Sequence, residues 1–511
     1  MNGAEALVRT LLDSEVDVVF ANPGTSEMHF VAALESAPGI RYVPCLFEGV
    51  ASAAADGYAR MTGRPAATLL HLGPGLANAQ ANLHNALKAR SPIVNIVGEH
   101  ATFHREAESP LSSDVPAIAQ PFSHWVKSID EPASVGTICV EAIETAREYP
   151  GKIATLLMPA DTAWSDGGNA GKAKSRGARV KPESTALDEA LRILRSGRNT
   201  VILLGGSALS ARATESASRI ASKSGARIRA ELLNARIDRS PDGLSVRRLP
   251  FHIDNAVADL RNVEHILLFD ADPPNAFFAY PGRPSAAYPS TAKLHVVADH
   301  HEDAIYALNE IDKALEERIG APVAPDLAAP RAQDSSAAIA AAVLADQLPM
   351  NAVVVDEAIS LGELFYDMLA GAAPHSWLQL TGGAIGIGLP LSVGAAIAAP
   401  NRRVVALQAD GSGMYTVQAL WTQARENLDI TTVILSNRSY AILFHEMQKM
   451  NAEVSQRGKD MLRLERPEID WVHISNGFGV PAVRADTADE FRKALQESFG
   501  RSGPSLIELV L

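Results

Sequence analysis

The sequence predicts an α/β protein built from three doubly wound parallel-sheet domains, and three observations predict it. Short runs of Val, Ile and Leu recur along the chain and are continuously apolar, as strands buried on both faces are, rather than alternating. Longer helical patterns separate those runs, the order expected of parallel sheets covered by helices on both sides. Two stretches without apolar period, Ser165–Pro182 and Gly320–Ser336, are rich in Gly, Ala, Pro and basic residues and divide the 511 residues into thirds. The expected domains are therefore 1–165, 183–319 and 337–511, each long enough to bury its own core.

In chain order, an amphipathic helix at "MNGAEALVRTLL" leads into the first candidate strand, "DVVFAN". "ATLLHL" and "IVNIVG" follow in the first third, and "TVILLGG", "HILLFDA" and "LHVVAD" in the second. "AVVVDE", "RVVALQA" and "TTVILSN" belong to the last. A formal charge of −13 and a pI near 5.6 argue against a nucleic-acid or anionic-membrane surface. The two cysteines, Cys45 and Cys139, give neither a disulfide framework nor a metal-binding spacing, and suit a reducing compartment. The N-terminus lacks the pattern of a signal peptide, and no apolar run reaches the ~18 residues of a membrane span. A soluble, cytoplasmic protein is expected.

Ligands of open parallel sheets sit at the carboxyl ends of strands. "ADGSG", Ala409–Gly413, lies at such an end, and Asn437 lies at the end of the next candidate strand, 27 residues after Asp410. Two hard oxygen ligands there suit Mg2+, which completes its octahedral shell with phosphate oxygens and water. A helix starting near Ser412, with Met414, Val417, Leu420 and Trp421 on one face, would aim free N–H groups at the same place. Gly411 and Gly413 would let a diphosphate approach the backbone. An N-cap Asp and an unrelated turn Asn account for the same letters equally well.

Gly-Asp-Gly followed after 25 to 30 residues by Asn is the diphosphate motif of thiamine-diphosphate (ThDP) enzymes, and "ADGS…SNRSY" resembles it. Ala409 stands for its first Gly, and Ser436 for the first residue of a frequent Asn pair. The likeness runs over nearly the whole chain, in the arrangement shared by acetolactate synthase, benzoylformate decarboxylase and pyruvate oxidase. Acetolactate synthase large-subunit-like proteins are the nearest in length and motifs. The resemblance implies a pyrimidine-binding domain, a central domain and a diphosphate-binding domain. It implies Asp410, Asn437 and the Ser439 carbonyl as Mg2+ ligands, with Ala409, Gly411, Ser412, Tyr440, Ala441 and Ser360 around the diphosphate. The "TGGAIGIGLP" loop would hold the aminopyrimidine: the Gly383 carbonyl receives the 4′-amino group, Ala384 lies alongside, and Ile385 sits under the bent cofactor.

In "CLFEGVASAAADGYAR", Glu48 follows a short candidate strand and opens an Ala-rich helix, where a glutamate commonly just favours the helix dipole. The resemblance gives it the bond to N1′ of the aminopyrimidine. "FANPGTSE" places Asn22, Pro23 and Gly24 beside the cofactor and aligns Thr25 with the active-site serine of benzoylformate decarboxylase, with Ser26 its neighbour. His71, directly after "TLL", matches that enzyme's active-site histidine, whereas Gly73-Pro74-Gly75 resembles acetolactate synthase. Tyr280, in "NAFFAYPG", stands about where the decarboxylase has a second histidine. His445 and Glu446 either line the pocket or are solvated helix residues.

The central domain resembles the fold that binds FAD in acetolactate synthase. FAD is possible but not favoured, because "LLGGSA" is no specific signal and no G-x-G-x-x-G opens a helix. The implied activity is ThDP- and Mg2+-dependent decarboxylation of a 2-oxo acid with carboligation to a second carbonyl compound. Simple decarboxylation, and a catalytically silent ThDP-binding paralogue, are the alternatives. A homodimer or homotetramer with active sites shared between subunits is expected.

Overall fold

Residues 1–240, 246–316, 335–450 and 455–511 are described by this computed structural model, so the Gly320–Ser336 stretch lies almost entirely outside the described residues. In the first third, β1 (Val18–Asn22), β2 (Arg41–Pro44), β3 (Ala66–Leu70), β4 (Ile93–Glu99), β5 (Trp125–Ser128) and β6 (Ile153–Pro159) form one sheet. Its order is β2-β1-β3-β4-β6-β5, with every neighbouring pair parallel. The middle third supplies β7 (Thr200–Leu204), β8 (Arg227–Ala230), β9 (Ile237–Arg239), β10 (His265–Phe269) and β11 (Lys293–Ala298). Four of these make a parallel sheet, β11-β10-β7-β8.

The last third contributes β12 (Ala352–Glu357), β13 (His375–Gln379), β14 (Val404–Ala409), β15 (Ile430–Ser436), β16 (Ala482–Ala485) and β17 (Ser505–Val510). They pair in parallel as β16-β17-β15-β14-β12-β13, and β9 adds itself antiparallel beside β13. Counted from its own first strand, this sheet repeats the order of the first. The strand expected immediately before Glu48 ends earlier, at Pro44, and Cys45–Phe47 form the connection.

The first and third sheets meet through two helices, Glu48–Thr62 and Gly388–Ala398, each of which follows the second strand of its sheet. The helices approach so closely that a Cβ at Gly57 would strike the Leu391 carbonyl, and one at Gly394 the Ala54 carbonyl. A glycine at each crossing point removes that obstacle. Arg60 completes the contact from a buried position. It pairs with Asp56 at 2.5 Å and donates to the Gln379 carbonyl at 2.6 Å and the Thr381 hydroxyl at 2.9 Å. Removing one partner of such a buried pair costs ~3–5 kcal/mol. Among the described residues no helix is long and apolar enough to cross a membrane.

In sheets of this order, ligands bind where the strand order reverses. Those points are the β1/β3 and β12/β14 ends, and the residues there are Asn22 and His71 in one sheet, Glu357 and Asp410 in the other.

Candidate active site

At the first switch point the chain leaves β1 through Pro23 and Gly24 into a single 3-10 turn, Thr25–Glu27. Glu27 folds back, accepting the Gly24 N–H at 2.7 Å and facing His71 Nδ1 at 2.8 Å on the same oxygen. The imidazole lies against Gly24, where a Cβ would have no room. A carboxylate on Nδ1 fixes the ring with its proton there and leaves Nε2 as the acceptor of the neutral form. The other Glu27 oxygen is buried without a hydrogen-bond partner, and burial raises the Glu27 pKa against the opposing pull of His71 and the Gly24 amide. Thr25 is exposed and Ser26 half-buried, at the start of that turn.

Glu48 opens its helix in a mostly buried position, 7% exposed, and accepts Asn78 Nδ2 at 3.0 Å. A Cβ on Gly75 would come within 2.9 Å of the Glu48 carboxylate and 3.4 Å of His71 Cβ. The Gly-Pro-Gly segment is thus the floor between these two side chains.

The same helix, Leu72–Lys88, carries the link to the third sheet. Asn82 donates to the carbonyls of Gly49 (2.9 Å) and Gly386 (3.3 Å). Asn85 accepts the Gly382 and Ala384 N–H groups at 3.1 and 3.2 Å and donates to the Ala384 carbonyl at 2.7 Å. His84 Nε2 bonds the Gly382 carbonyl at 2.9 Å. Within one chain, the start of the Glu48 helix and the Thr381–Gly386 loop are held together by these three side chains, none of which sequence reasoning had singled out. Their signal was "NLHN", three polar residues where a covered helix should be apolar.

The loop needs its glycines. Gly383 has φ +79° and Gly386 φ +95°, and a Cβ on Gly383 would lie 2.7 Å from the Phe277 ring. The Ala384 carbonyl is taken by Asn85, whereas the Gly383 carbonyl accepts no backbone N–H among the described residues. Ile385 is half-buried between them and Gly386.

At the second switch point Asp410 is buried, 3% exposed. One oxygen accepts the Gly411 N–H at 2.8 Å and the other the Arg438 N–H at 2.6 Å. Burial raises its pKa, and those amides oppose the shift. Ala409 and Leu435 are register partners on β14 and β15, which brings the 437–439 turn beside Asp410. The Asn437 side-chain oxygen accepts the Ser439 N–H at 3.0 Å and its hydroxyl at 3.3 Å. Tyr440 lays its ring over Gly411, where a Cβ would sit 2.6 Å from it, and Ala441 begins the next helix. Ser412 is buried and receives a bond from Gln408 at 2.6 Å. Ser360 lies half-buried in a 3-10 turn just past β12.

One expectation is corrected. The helix expected from Ser412 instead begins at Asp410, stops after one turn and resumes as Ala419–Arg425, leaving Met414 exposed while Leu420 is buried. The chain bends there to seat Tyr415 against Gly386 and to let Thr416 donate to the Gly386 carbonyl at 2.8 Å. Tyr280 donates to Glu446 at 2.6 Å. Burial and that carboxylate push the phenol up to about 12. Glu446 is accordingly buried, whereas His445 is exposed.

Residues 1–119 match the family described as thiamine pyrophosphate enzyme, N-terminal TPP binding domain, and residues 364–509 its C-terminal TPP binding domain. A protein of Mycobacterium tuberculosis, IlvX, which carries the provisional name acetolactate synthase large subunit, is 46% identical across 100% of this chain and 99% of its own. The chain belongs to the thiamine-diphosphate enzyme family. Benzoylformate decarboxylase of Pseudomonas aeruginosa is 28% identical over 96% of this chain and 95% of that one. A ThDP-dependent 4-hydroxybenzoylformate decarboxylase of Rhodococcus jostii RHA1 has the same fold, with a TM-score of 0.86 at 24% identity over 99% and 98% of the two chains.

The residues of this ThDP enzyme fit the cofactor. The Gly383 carbonyl is uncommitted, Glu48 stands at the open floor of Gly75, and Gly411 has no side chain beneath Tyr440. Among the described residues no group of three His, Cys, Asp or Glu side chains forms a metal cluster.

Proposed function

We propose that this ThDP enzyme is Mg2+-dependent, decarboxylates a 2-oxo acid and joins the remaining acyl unit to a second carbonyl compound. The observation that carries this is Tyr280: its hydroxyl is spent on Glu446 and its pKa is about 12, so it is a poor proton donor. Among the described residues, His71 is then the imidazole held at the first switch point, on Glu27. Proton transfer by a positioned side chain is worth about 10²–10⁴-fold. With only one donor, capture by a second carbonyl competes with protonation. Bound ThDP supplies the carbon nucleophile that takes up the 2-oxo acid and lets CO2 leave. Glu48 would hold the proton shared with N1′, and the Gly383 carbonyl would orient the 4′-amino group. Asp410, Asn437 and the Ser439 carbonyl would hold Mg2+ against the diphosphate.

A second reading is a simple decarboxylase, favoured by the Glu27–His71 pair on the Asn22–Pro23–Gly24 turn, a ready general acid. Pyruvate and an aryl 2-oxo acid, each with and without acceptor aldehyde, separate the two. Ligated product rising with acceptor supports carboligation. Free aldehyde at every acceptor concentration supports the decarboxylase, and no CO2 from any 2-oxo acid leaves a silent paralogue. FAD is not favoured in this proposal; the Ser207 N–H and hydroxyl, just past β7, serve Asp270 at 2.8 and 2.7 Å.

The proposal includes a cytoplasmic homodimer or homotetramer with shared sites. Leu46, two residues before Glu48, and Met414 and Tyr415, the latter against Gly386, are exposed apolar residues that a second copy would cover. Mixing inactive Glu48→Gln and Asp410→Asn chains tests sharing: about a quarter of wild-type activity should return if each site takes one residue from each chain, and none if both come from one chain.

A further inference from the structure

Glu357, the last residue of β12, is fully buried behind both halves of the site and has no part in the chemistry above. Its carboxylate accepts the Gly386 N–H at 2.5 Å and the Gly388 N–H at 2.6 Å, bracketing the end of the Thr381–Gly386 loop. Burial pushes its pKa up to about 7, opposed by backbone amides and by Gln408.

Gln408 is its register partner on β14, so strand pairing alone sets the two side by side. It too is buried, and its Nε2 donates to Ser412 Oγ at 2.6 Å while its Oε1 has no donor. Between them lies Gly388. A Cβ there would strike the Gln408 oxygen and come within 2.9 Å of the Glu357 carboxylate, so only glycine lets the three meet. Two proton arrangements close the contact. A protonated Glu357 donates to Gln408 Oε1, or the carboxamide, turned over, donates to the carboxylate and accepts from Ser412.

We infer that Glu357 and Gln408 form a buried strap, running from Gly386 through both side chains to Ser412, that fixes the spacing of the aminopyrimidine loop and the diphosphate turn. The inference rests on the ThDP reading of those two segments. A single cofactor must meet both at once, and a site held loosely by even 1 Å loses much of its effect. Glu357 and Gln408 are positioning residues: they touch the segments that hold the cofactor.

The test is Gln408→Met, which keeps length and volume but removes the polar link. Glu357 retains both backbone donors and Ser412 retains the Ala409 carbonyl at 3.3 Å, so the apo protein should melt close to wild type. ThDP with Mg2+, titrated by intrinsic tryptophan fluorescence, should bind about tenfold more weakly, a factor one lost hydrogen bond and its ordering can supply. Hydrogen exchange in the peptide spanning 381–388 should quicken, although the substitution lies elsewhere. Glu357→Gln, which can still accept one amide and donate to Gln408, should fall between the two, and carries the same measurements if Gln408→Met does not fold. Wild-type affinity and unchanged exchange in Gln408→Met would overturn the strap alone. A wild-type protein that binds no ThDP would overturn the cofactor reading, and the strap's role with it.

Discussion

The first and third sheets share one strand order and put their ligand-facing residues at the same place, yet they carry opposite chemistry. The first switch point ends in titratable side chains, with Glu27 on His71 and Glu48 across Gly75. The third ends in backbone and hard oxygen: glycine turns, the Gly383 carbonyl, Asp410 and the 437–439 turn. Parallel topology settles where a ligand sits, and the few residues just past each strand settle what can be done to it. The division is physical. Proton transfer needs groups whose charge can change, whereas holding a diphosphate and a cation needs groups whose charge stays.

Glu48→Gln breaks the proton-handling side most severely. An amide cannot relay a proton, so turnover should drop by about 10²–10⁴-fold, while calorimetric titration shows ThDP still binding. Asp410→Asn breaks the holding side. Its amide retains one acceptor for two backbone donors, so the chain should fold, but metal-assisted ThDP affinity should weaken on the order of a hundredfold. The check is the ThDP- and Mg2+-dependent rise in melting temperature, which a ligand bound only to the native state produces. Asparagine is the better probe than alanine, because Asp410 is buried and alanine would strand both N–H groups.

Glu357 sharpens the contrast, as a group whose charge can change on the holding side. Its pKa rises on folding from an ordinary 4.5 to about 7, so the unfolded chain sheds its proton first. The stability this contributes is fully present below pH 4.5 and is lost as pH rises through 7. Denaturant unfolding of the apo protein between pH 5 and 7 should show that decline, and Glu357→Gln should flatten it by about 1–3 kcal/mol. Smallest of all, Tyr280→Phe removes one half-buried hydrogen bond and should cost about 1 kcal/mol. Its product ratio should stay near wild type, since the phenol is bound to Glu446; a large shift towards ligated product would place Tyr280 in the reaction after all.

The strand-end motifs were legible because they are local. "ADGSG" and the Asn437 turn lie where two buried runs end, and the nine continuously apolar runs are all strands. Strands of mixed composition escaped notice. β5 is "WVKS", β9 "IDR" and β16 "AVRA", edge strands with polar or charged residues among the apolar ones, which owe their place to tertiary pairing. β6 and β13 were missed for want of a clear boundary, since "IATLLMP" runs straight into a helix and "HSWLQ" opens on polar residues. Side-chain bridges between distant segments carry no local signature at all. Asn85 reaches Ala384 across 299 residues and Glu357 meets Gln408 only through strand pairing, so neither partner predicts the other. The interrupted helix after Asp410 belongs to the same class, because Gly386 dictates the bend.

Strand β9 has a bearing on how the chain comes to be made. It leaves the ribosome with the middle third, yet the strand it pairs with among the described residues, β13, is synthesised more than a hundred residues later, Ile237 with Trp377 and Arg239 with His375. Domains generally fold as units during synthesis, N-terminal first. Here the middle portion emerges holding an edge it cannot use, with the Arg239 guanidinium still waiting for the Tyr366 carbonyl that it meets at 2.7 Å in the finished molecule. The third sheet, for its part, closes on a strand already made. Cut between the thirds, the last piece would present the bare edge of β13 to any strand nearby, the surface from which sheets aggregate. Ribosome-bound chains of increasing length, probed by protease, would show Arg239 sheltered only after His375 has cleared the exit tunnel.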